Sequence, residues 1–284
     1  MKQETLRGDI EEMGQFQLGP SAELLSVAIR VKDRDKMIAF YRDIIGFSLK
    51  SEENALAIMG TDQHPEERFL LEESPRAQDY FGKTKKLHHL TLQVQSLAEL
   101  AAIAARLAKV ADQHYQIEVT DSVIEVKVVD PEENQWVICY QKKASDQVIT
   151  SSEELVTEQT DASIRLAETI QFVSVALNVH DMEEEVAFLT TNMGLKNNSQ
   201  EKTVHVPSVS FSVVANQVSD PTVKLASHEV IGLEFIKFRM DQKDLLALEE
   251  NLVASSKDFF IDQKKTILTV YDSVGVEWWF EQSK

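Results

Sequence analysis

The sequence predicts an α+β fold of four βαβββ units arranged as two paired domains. Three observations carry this expectation. The stretch LLSVAIRVKD at residues 24–33 is written again as FVSVALNVHD at residues 172–181. The match continues without a gap, because Ser26, Ala39, Phe40 and Gly46 recur as Ser174, Ala187, Phe188 and Gly194. The second and fourth units also end alike. VVDPEENQWVICYQ answers VYDSVGVEWWFEQ and aligns Asp130 with Asp272 and Trp136 with Trp278.

The first unit opens with a strand over 24–31, where Val27, Ile29 and Val31 alternate with Ser26, Ala28 and Arg30. Asp33 is placed to cap a helix that carries Met37, Ile38, Tyr41 and Ile45 at helical spacing, and Gly46 ends it. Strands are expected over 47–50, 55–59 and 68–72. The second unit has a strand over 88–94, an Ala- and Leu-rich helix over 97–109, and strands over 115–119, 123–129 and 135–141. The third unit starts at Phe172 and mirrors the first. The fourth starts near Leu233, where LEFIKFRM mirrors LHHLTLQV. The expected division is an extension over 1–20, a first domain over 21–142, a polar linker over 143–168 and a second domain over 169–284.

A chain of 284 residues with 43% apolar composition has room for two ordinary cores. Its 47 acidic and 29 basic residues leave a net charge of −18, which disfavours nucleic-acid and anionic-membrane partners. No apolar stretch reaches the roughly 18 residues of a spanning helix. The N-terminal MKQETLRGDIEEMGQ lacks the apolar centre of a secretory signal, so a cytoplasmic location is expected. Cys139 is the only cysteine, which excludes an internal disulfide and a multi-thiolate zinc site.

Period-two alternation also assigns faces. With the apolar set packed under helices, Ser26, Arg30, His89, Thr91 and Gln93 are expected to line a polar cleft in the first domain. Ser174, Asn178, Phe235, Lys237 and Arg239 line its counterpart. Cations in a concavity suit a carboxylate or phosphate, so Arg30, Lys237 and Arg239 point to a small anionic ligand. A protein partner or a homodimer are the other partners expected. Neither HExxH nor G-x-S-x-G occurs. Cys139 shares the face of Val137 and is placed to look into the cleft of His89, so His89 and Cys139 are the catalytic candidates. The pairs Glu72–Glu73 and Glu132–Glu133 read as solvated strand-end or turn residues.

The stretches SVAIRVKDRDKMIAFYRDIIGF, HLTLQV and DPEENQ resemble the vicinal oxygen chelate superfamily of glyoxalase, bleomycin-resistance and extradiol-dioxygenase proteins. More closely, EENALAIMG, FLLEESPRAQDYFGKTKKLHH and GLEFIKFRM resemble the CppA family, whose members are named C3-degrading proteinases. The resemblance implies two glyoxalase-like half-barrel domains. It also implies a divalent metal held near the start of the first strand and the end of the last strand of each unit. Those positions read Ser26, Glu72 or Glu73, His89 and Val137 in the first half, then Ser174, Val213 or Val214, Phe235 and Trp279. Only His89 and Glu72 are donors there, one short of the usual three, so no cofactor is expected and a divalent metal is the lesser alternative. The expected function is that of a CppA-like protein without a complete metal site, binding a ligand or protein in a polar cleft. The resemblance also implies two alternatives: a proteinase acting on complement C3, or a metal-dependent lyase or dioxygenase using the first domain.

Overall fold

In the computed structural model Asp33 caps the first helix by accepting from the Lys36 amide at 3.0 Å, and Gly46 ends the helical segment at φ 104°. The structure describes residues 16–283 apart from 64–65, 79–82, 112–113, 158–159 and 199–202. The first 15 residues of the expected extension therefore lie outside the described residues.

Four βαβββ units follow in order. The first is β1 (Glu23–Val31), α1 (Arg34–Phe40), β2 (Ser48–Glu53), β3 (Leu56–Gly60) and β4 (Phe69–Glu73). The second is β5 (Leu87–Gln93), α2 (Leu97–Leu107), β6 (Tyr115–Val119), β7 (Val123–Val129) and β8 (Gln135–Gln141). A short α3 (Ser152–Leu155) lies in the linker. The third unit is β9 (Gln171–Val179), α4 (Met182–Ala187), β10 (Lys196–Asn198), β11 (Thr203–His205) and β12 (Ser212–Gln217). The fourth is β13 (Gly232–Met240), α5 (Gln242–Ala254), β14 (Phe259–Ile261), β15 (Ile267–Tyr271) and β16 (Glu277–Gln282). Both α1 and α4 widen into a π-helical turn, Tyr41–Ile45 and Phe188–Asn192, so the repeat extends to this detail.

The sheets do not follow the chain order of the halves. One eight-stranded sheet runs β14-β15-β16-β13-β1-β4-β3-β2, and the other runs β10-β11-β12-β9-β5-β8-β7-β6. Each half-barrel thus joins one unit from either half: units one and four, and units two and three. The joints are antiparallel pairings of first strands, β1 with β13 and β5 with β9. This overturns the expectation that Ser26, Arg30, His89, Thr91 and Gln93 share one hollow. Ser26 and Arg30 lie beside Lys237 and Gly232, whereas His89 and Thr91 lie beside Ala176 and Ser174.

The physical reason is that units one and two meet through their packed faces. Tyr41 donates to Asp130 at 2.5 Å and accepts from Trp136 Nε1 at 3.0 Å. Asp130 also accepts from the Asn134 amide, the Asn134 side chain and the Glu132 amide at 2.8–2.9 Å. Phe47 and Phe69 pack edge-on around Trp136 in the same buried cluster. With this joint closed by buried side chains, the first strands of units one and two are left to pair elsewhere. Glu132 ties the same turn to the start of α1 by accepting from the Lys32 and Asp33 amides. The linker is bound down as well. Buried Arg106 donates to the carbonyls of Ile44, Ile45, Ala162 and Ile164, and Leu166 N–H donates to the Gly46 carbonyl at 3.1 Å.

The third and fourth units repeat this joint with different chemistry. Trp278 Nε1 donates directly to Asp272 at 3.2 Å, and Leu189 stands where Tyr41 stands in the first unit. Glu185 replaces Met37 at a fully buried position and accepts from the Ser273 amide and hydroxyl at 3.2 and 2.6 Å. Its other carboxyl oxygen is buried without a partner in the structure. Burial, then the neighbouring Asp272 carboxyl, pushes the Glu185 carboxyl up against a weaker opposing effect from Lys257.

Two outcomes are expected. Tyr41→Phe leaves the Trp136 N–H without its acceptor and removes a donor from Asp130, so it should cost about 1–3 kcal/mol in denaturant-unfolding stability. A Glu185 pKa raised in the folded state means that stability falls as pH rises above the ordinary carboxylate range, because the unfolded chain releases that proton first. Glu185→Gln should therefore gain melting temperature relative to the parent at pH 8 and gain less or lose at pH 5. An equal difference at both pH values would contradict the buried-proton account.

Candidate functional site

The register lists the inward residues of each hollow, since residues opposite one another share a face. In the hollow of units one and four, β1 contributes Ser26, Ala28 and Arg30, and β4 contributes Leu70 and Glu72. From β13 come Phe235, Lys237 and Arg239, and from β16 come Glu277, Trp279 and Glu281. The cations are all paired within the chain. Arg30 contacts Glu234 and lies 3.4 Å from Glu72. Lys237 meets Glu67 at 2.9 Å and Glu281 at 3.0 Å, and Arg239 meets Glu66 at 2.8 Å. Ser26 donates to Glu67 at 3.2 Å. Pairing with Glu67 and Glu281 raises the Lys237 pKa although burial opposes it. Arg30, Lys237 and Arg239, expected to hold an anion, are thus occupied by the chain's own glutamates. Sequence reading missed Glu66, Glu67 and Glu234. The first two precede β4 and Glu234 sits at the β1–β13 register shift, where alternation carries no information.

The hollow of units two and three is built differently. Inward residues are His89, Thr91 and Gln93 on β5, Ser174, Ala176 and Asn178 on β9, and Gln135, Val137 and Cys139 on β8. Lys127 and Glu125 face in from β7, and Val214 from β12. Ser174 donates to Thr91 at 2.8 Å across the strand joint. Asn178 donates to the Lys85 carbonyl at 2.8 Å, so it serves the backbone. At the β6–β8 end a cavity of about 440 Å³ opens between His89, Lys127, Val129, Gln135 and Val137. Burial, then nearby His88 and Lys127, pushes the His89 imidazole down to about 4, so it is neutral at physiological pH. Its Nδ1 lies 2.7 Å from that of His88. Lys127 was not singled out from the sequence, yet it follows from the alternation of β7.

The catalytic candidates are not brought together. The parallel β5–β8 register sets Gln93 beside Cys139, so His89 lies four residues along, about 13 Å away. Cys139 is buried, and burial followed by Glu125 pushes its thiol up to about 11, far from a thiolate. The two metal candidates are separated too, with Glu72 on the sheet of β1 and His89 on the sheet of β9. After regrouping, the positions implied for a metal read Ser26, Glu72, Phe235 and Trp279 in one hollow. They read His89, Val137, Ser174 and Val213 or Val214 in the other. Neither set fits a divalent ion, which wants three or more oxygen, nitrogen or thiolate donors. Among the described residues no group of three or more His, Cys, Asp or Glu side chains is gathered to hold one. Among them also, no helix is long and apolar enough to cross a membrane.

Two eight-stranded half-barrels built from four βαβββ units define a glyoxalase-like fold, that of the vicinal oxygen chelate proteins. Comparison of structures agrees. The CppA protein of Streptococcus pneumoniae TIGR4 superposes with a TM-score of 0.66 at 19% identity, over 95% of this chain and all (100%) of that one. A putative dioxygenase of Bacillus subtilis subsp. subtilis str. 168 gives 0.60 at 12% identity, covering 95% and 86%. Glyoxalase I of Zea mays gives 0.58 at 13% identity, covering 92% of each chain. At these identities the likeness establishes the fold. The CppA N-terminal model matches residues 24–150 and the CppA C-terminal model matches residues 168–280, and the chain belongs to the CppA family. No curated protein sequence matches it.

The state of Cys139 makes a direct prediction. At pH 8 a disulfide-exchange reagent should modify it in the native protein at least about 100-fold more slowly than in the denaturant-unfolded chain, since the thiolate is scarce and covered. Comparable rates in the two states would place an activated thiol in the hollow.

Proposed function

We propose that this CppA-family chain is a binding protein without metal chemistry, and that it takes a small carboxylate-bearing molecule in the hollow of units two and three. The observation that carries the reading is the open cavity beside His89 and Lys127. Burial, then His88 and Lys127, holds the imidazole down, and a ligand carboxylate between His89 and Lys127 would oppose those effects and favour the imidazolium. Gln116 and Gln135 supply amide donors there, while Val129 and Val137 supply apolar wall, a mixture that suits a small organic acid. Among the described residues Lys127 pairs with half-exposed Glu118 and Glu125, at 2.7 and 3.6 Å, pairs that an incoming carboxylate can replace at little cost. The two alternatives find less support. For cleavage of complement C3, the nucleophile and base expected, Cys139 and His89, stand about 13 Å apart. A metal-dependent lyase or dioxygenase would need donors where Val137, Phe235 and Trp279 stand.

The test is a titration of the His89 imidazole by NMR, alone and with acetate, succinate or benzoate as probes. A bound carboxylate should raise the His89 midpoint from about 4 by about one pH unit or more, and Lys127→Met should weaken that binding. If none of the three acids moves the midpoint, the reading fails.

A further inference from the structure

The concave face of the other sheet carries an aromatic strip, in which the ion-paired Lys237 lies over the Trp279 ring, 5.8 Å from its centroid, and the remaining rings are left open. Phe260 stands opposite Thr269 and Thr269 opposite Trp279, while Tyr271 stands opposite Glu277 and Glu277 beside Phe235. Opposed residues share a face, so Phe260, Tyr271, Trp279 and Phe235 all point away from the core that buries Val270, Trp278 and Phe280. Phe235 and Trp279 are in contact, with ring centroids 5.8 Å apart. Phe260 is 60% exposed and Tyr271 55% exposed, large apolar surfaces left open among the described residues. From β14 to β13 the strip crosses four strands, about 14 Å.

The charge around the strip has one sign in excess. Arg30 is shared between Glu72 and Glu234, and Glu277 lies on β16, one strand from the β13 strand of Glu234. Burial and the Glu72 carboxyl push both Glu234 and Glu277 up, as expected where carboxylates outnumber cations. Among the described residues these groups are not spaced to hold a metal ion. The complement to rings and surplus carboxylate is an organic cation, which gains from both the ring faces and the charge. Trp279 Nε1 adds a second requirement: it is buried with no acceptor. A free ammonium offers no acceptor and does not span the strip, whereas an extended peptide supplies a carbonyl beside each side chain.

We propose that this face docks a lysine- or arginine-bearing extended segment of a partner protein. Its cationic side chain lies over Tyr271 and Phe235, which flank Glu277, and pairs with Glu234 and Glu277, and one of its carbonyls accepts from Trp279 Nε1.

Fluorescence anisotropy of a labelled decapeptide of alternating lysine and serine, added to the full chain in 150 mM salt, tests this. The wild type should bind it saturably, and the peptide with glutamate in place of lysine should not bind. Trp279→Leu and the double variant Glu234→Gln/Glu277→Gln should each weaken binding at least about tenfold, with folding checked by melting temperature. Glu183→Gln/Glu184→Gln, which removes two exposed charges on α4, should leave affinity unchanged. The proposal is overturned if the lysine peptide does not bind, or if the hollow variants bind like wild type. It is also overturned if the α4 variant loses as much affinity as they do, or if lysine amide competes as well per molecule as the decapeptide.

Discussion

The antiparallel pairing of first strands, β1 with β13 and β5 with β9, is the constraint on which the functional surfaces depend. A βαβββ unit alone is a four-stranded open sheet with one edge formed by its first strand. That edge presents unpaired backbone groups and must be covered. Joining the edges of units one and four makes one concave face out of residues about 200 positions apart in sequence, such as Ser26 and Lys237. The same rule joins His89 to Ala176 and Thr91 to Ser174. Every statement about which polar groups can act together follows from these two pairings.

Much of the fold was legible because local rules and tertiary structure agree. Asp33, Ser96 and Asp181 cap the helices they precede, Gly46 takes the left-handed conformation that ends a helix, and Val27, Ile29 and Val31 are buried as alternation requires. Strand limits shift by a residue or a few, as with β2, which runs on to Glu53. The pairing of units was not legible. All four first strands carry the same alternation, so period two assigns each residue a face and leaves its neighbour across the joint undefined. What selects the neighbour is a set of distant contacts: Tyr41 with Asp130 and Trp136 on the packed side, and Lys237 and Ser26 with Glu67 inside the hollow. Glu67 lies just before a strand, where no periodicity could mark it.

Lys85 and Lys86 show how closely the halves are bound together. They are adjacent in sequence and both buried, yet they serve different turns. Lys85 donates to the Glu132 carbonyl and lies 3.2 Å from Asn134, inside the turn that Asp130 organises. Lys86 donates to Ser227 Oγ at 3.0 Å, and that hydroxyl donates to the Gly275 carbonyl of the turn that Asp272 organises. Burial pushes the Lys86 ammonium down to about 8, against the opposing pull of Asp272 and Glu229. Burying two ammonium groups is costly unless each is paired or hydrogen-bonded, so these contacts fix the segment between units one and two against both halves at once.

The two hollows then illustrate how one architecture separates into different chemistries. In both, the strand joint places small or polar residues opposite one another. In one hollow Thr91 and Ser174 satisfy each other with a neutral hydrogen bond, the charged pairs of Lys127 with Glu118 and Glu125 are half-exposed, and the cavity beside His89 stays open. In the other, the positions equivalent to Thr91 and Gln93 are Lys237 and Arg239, and glutamates have been drawn in to neutralise them. Once those carboxylates outnumber the cations, the face favours positive partners, the reverse of what its inward lysine and arginines suggest when the sequence is read alone. A cation on an inner face therefore predicts ligand charge only after its intramolecular partners are known, because the net field, not the individual residue, is what an incoming molecule meets.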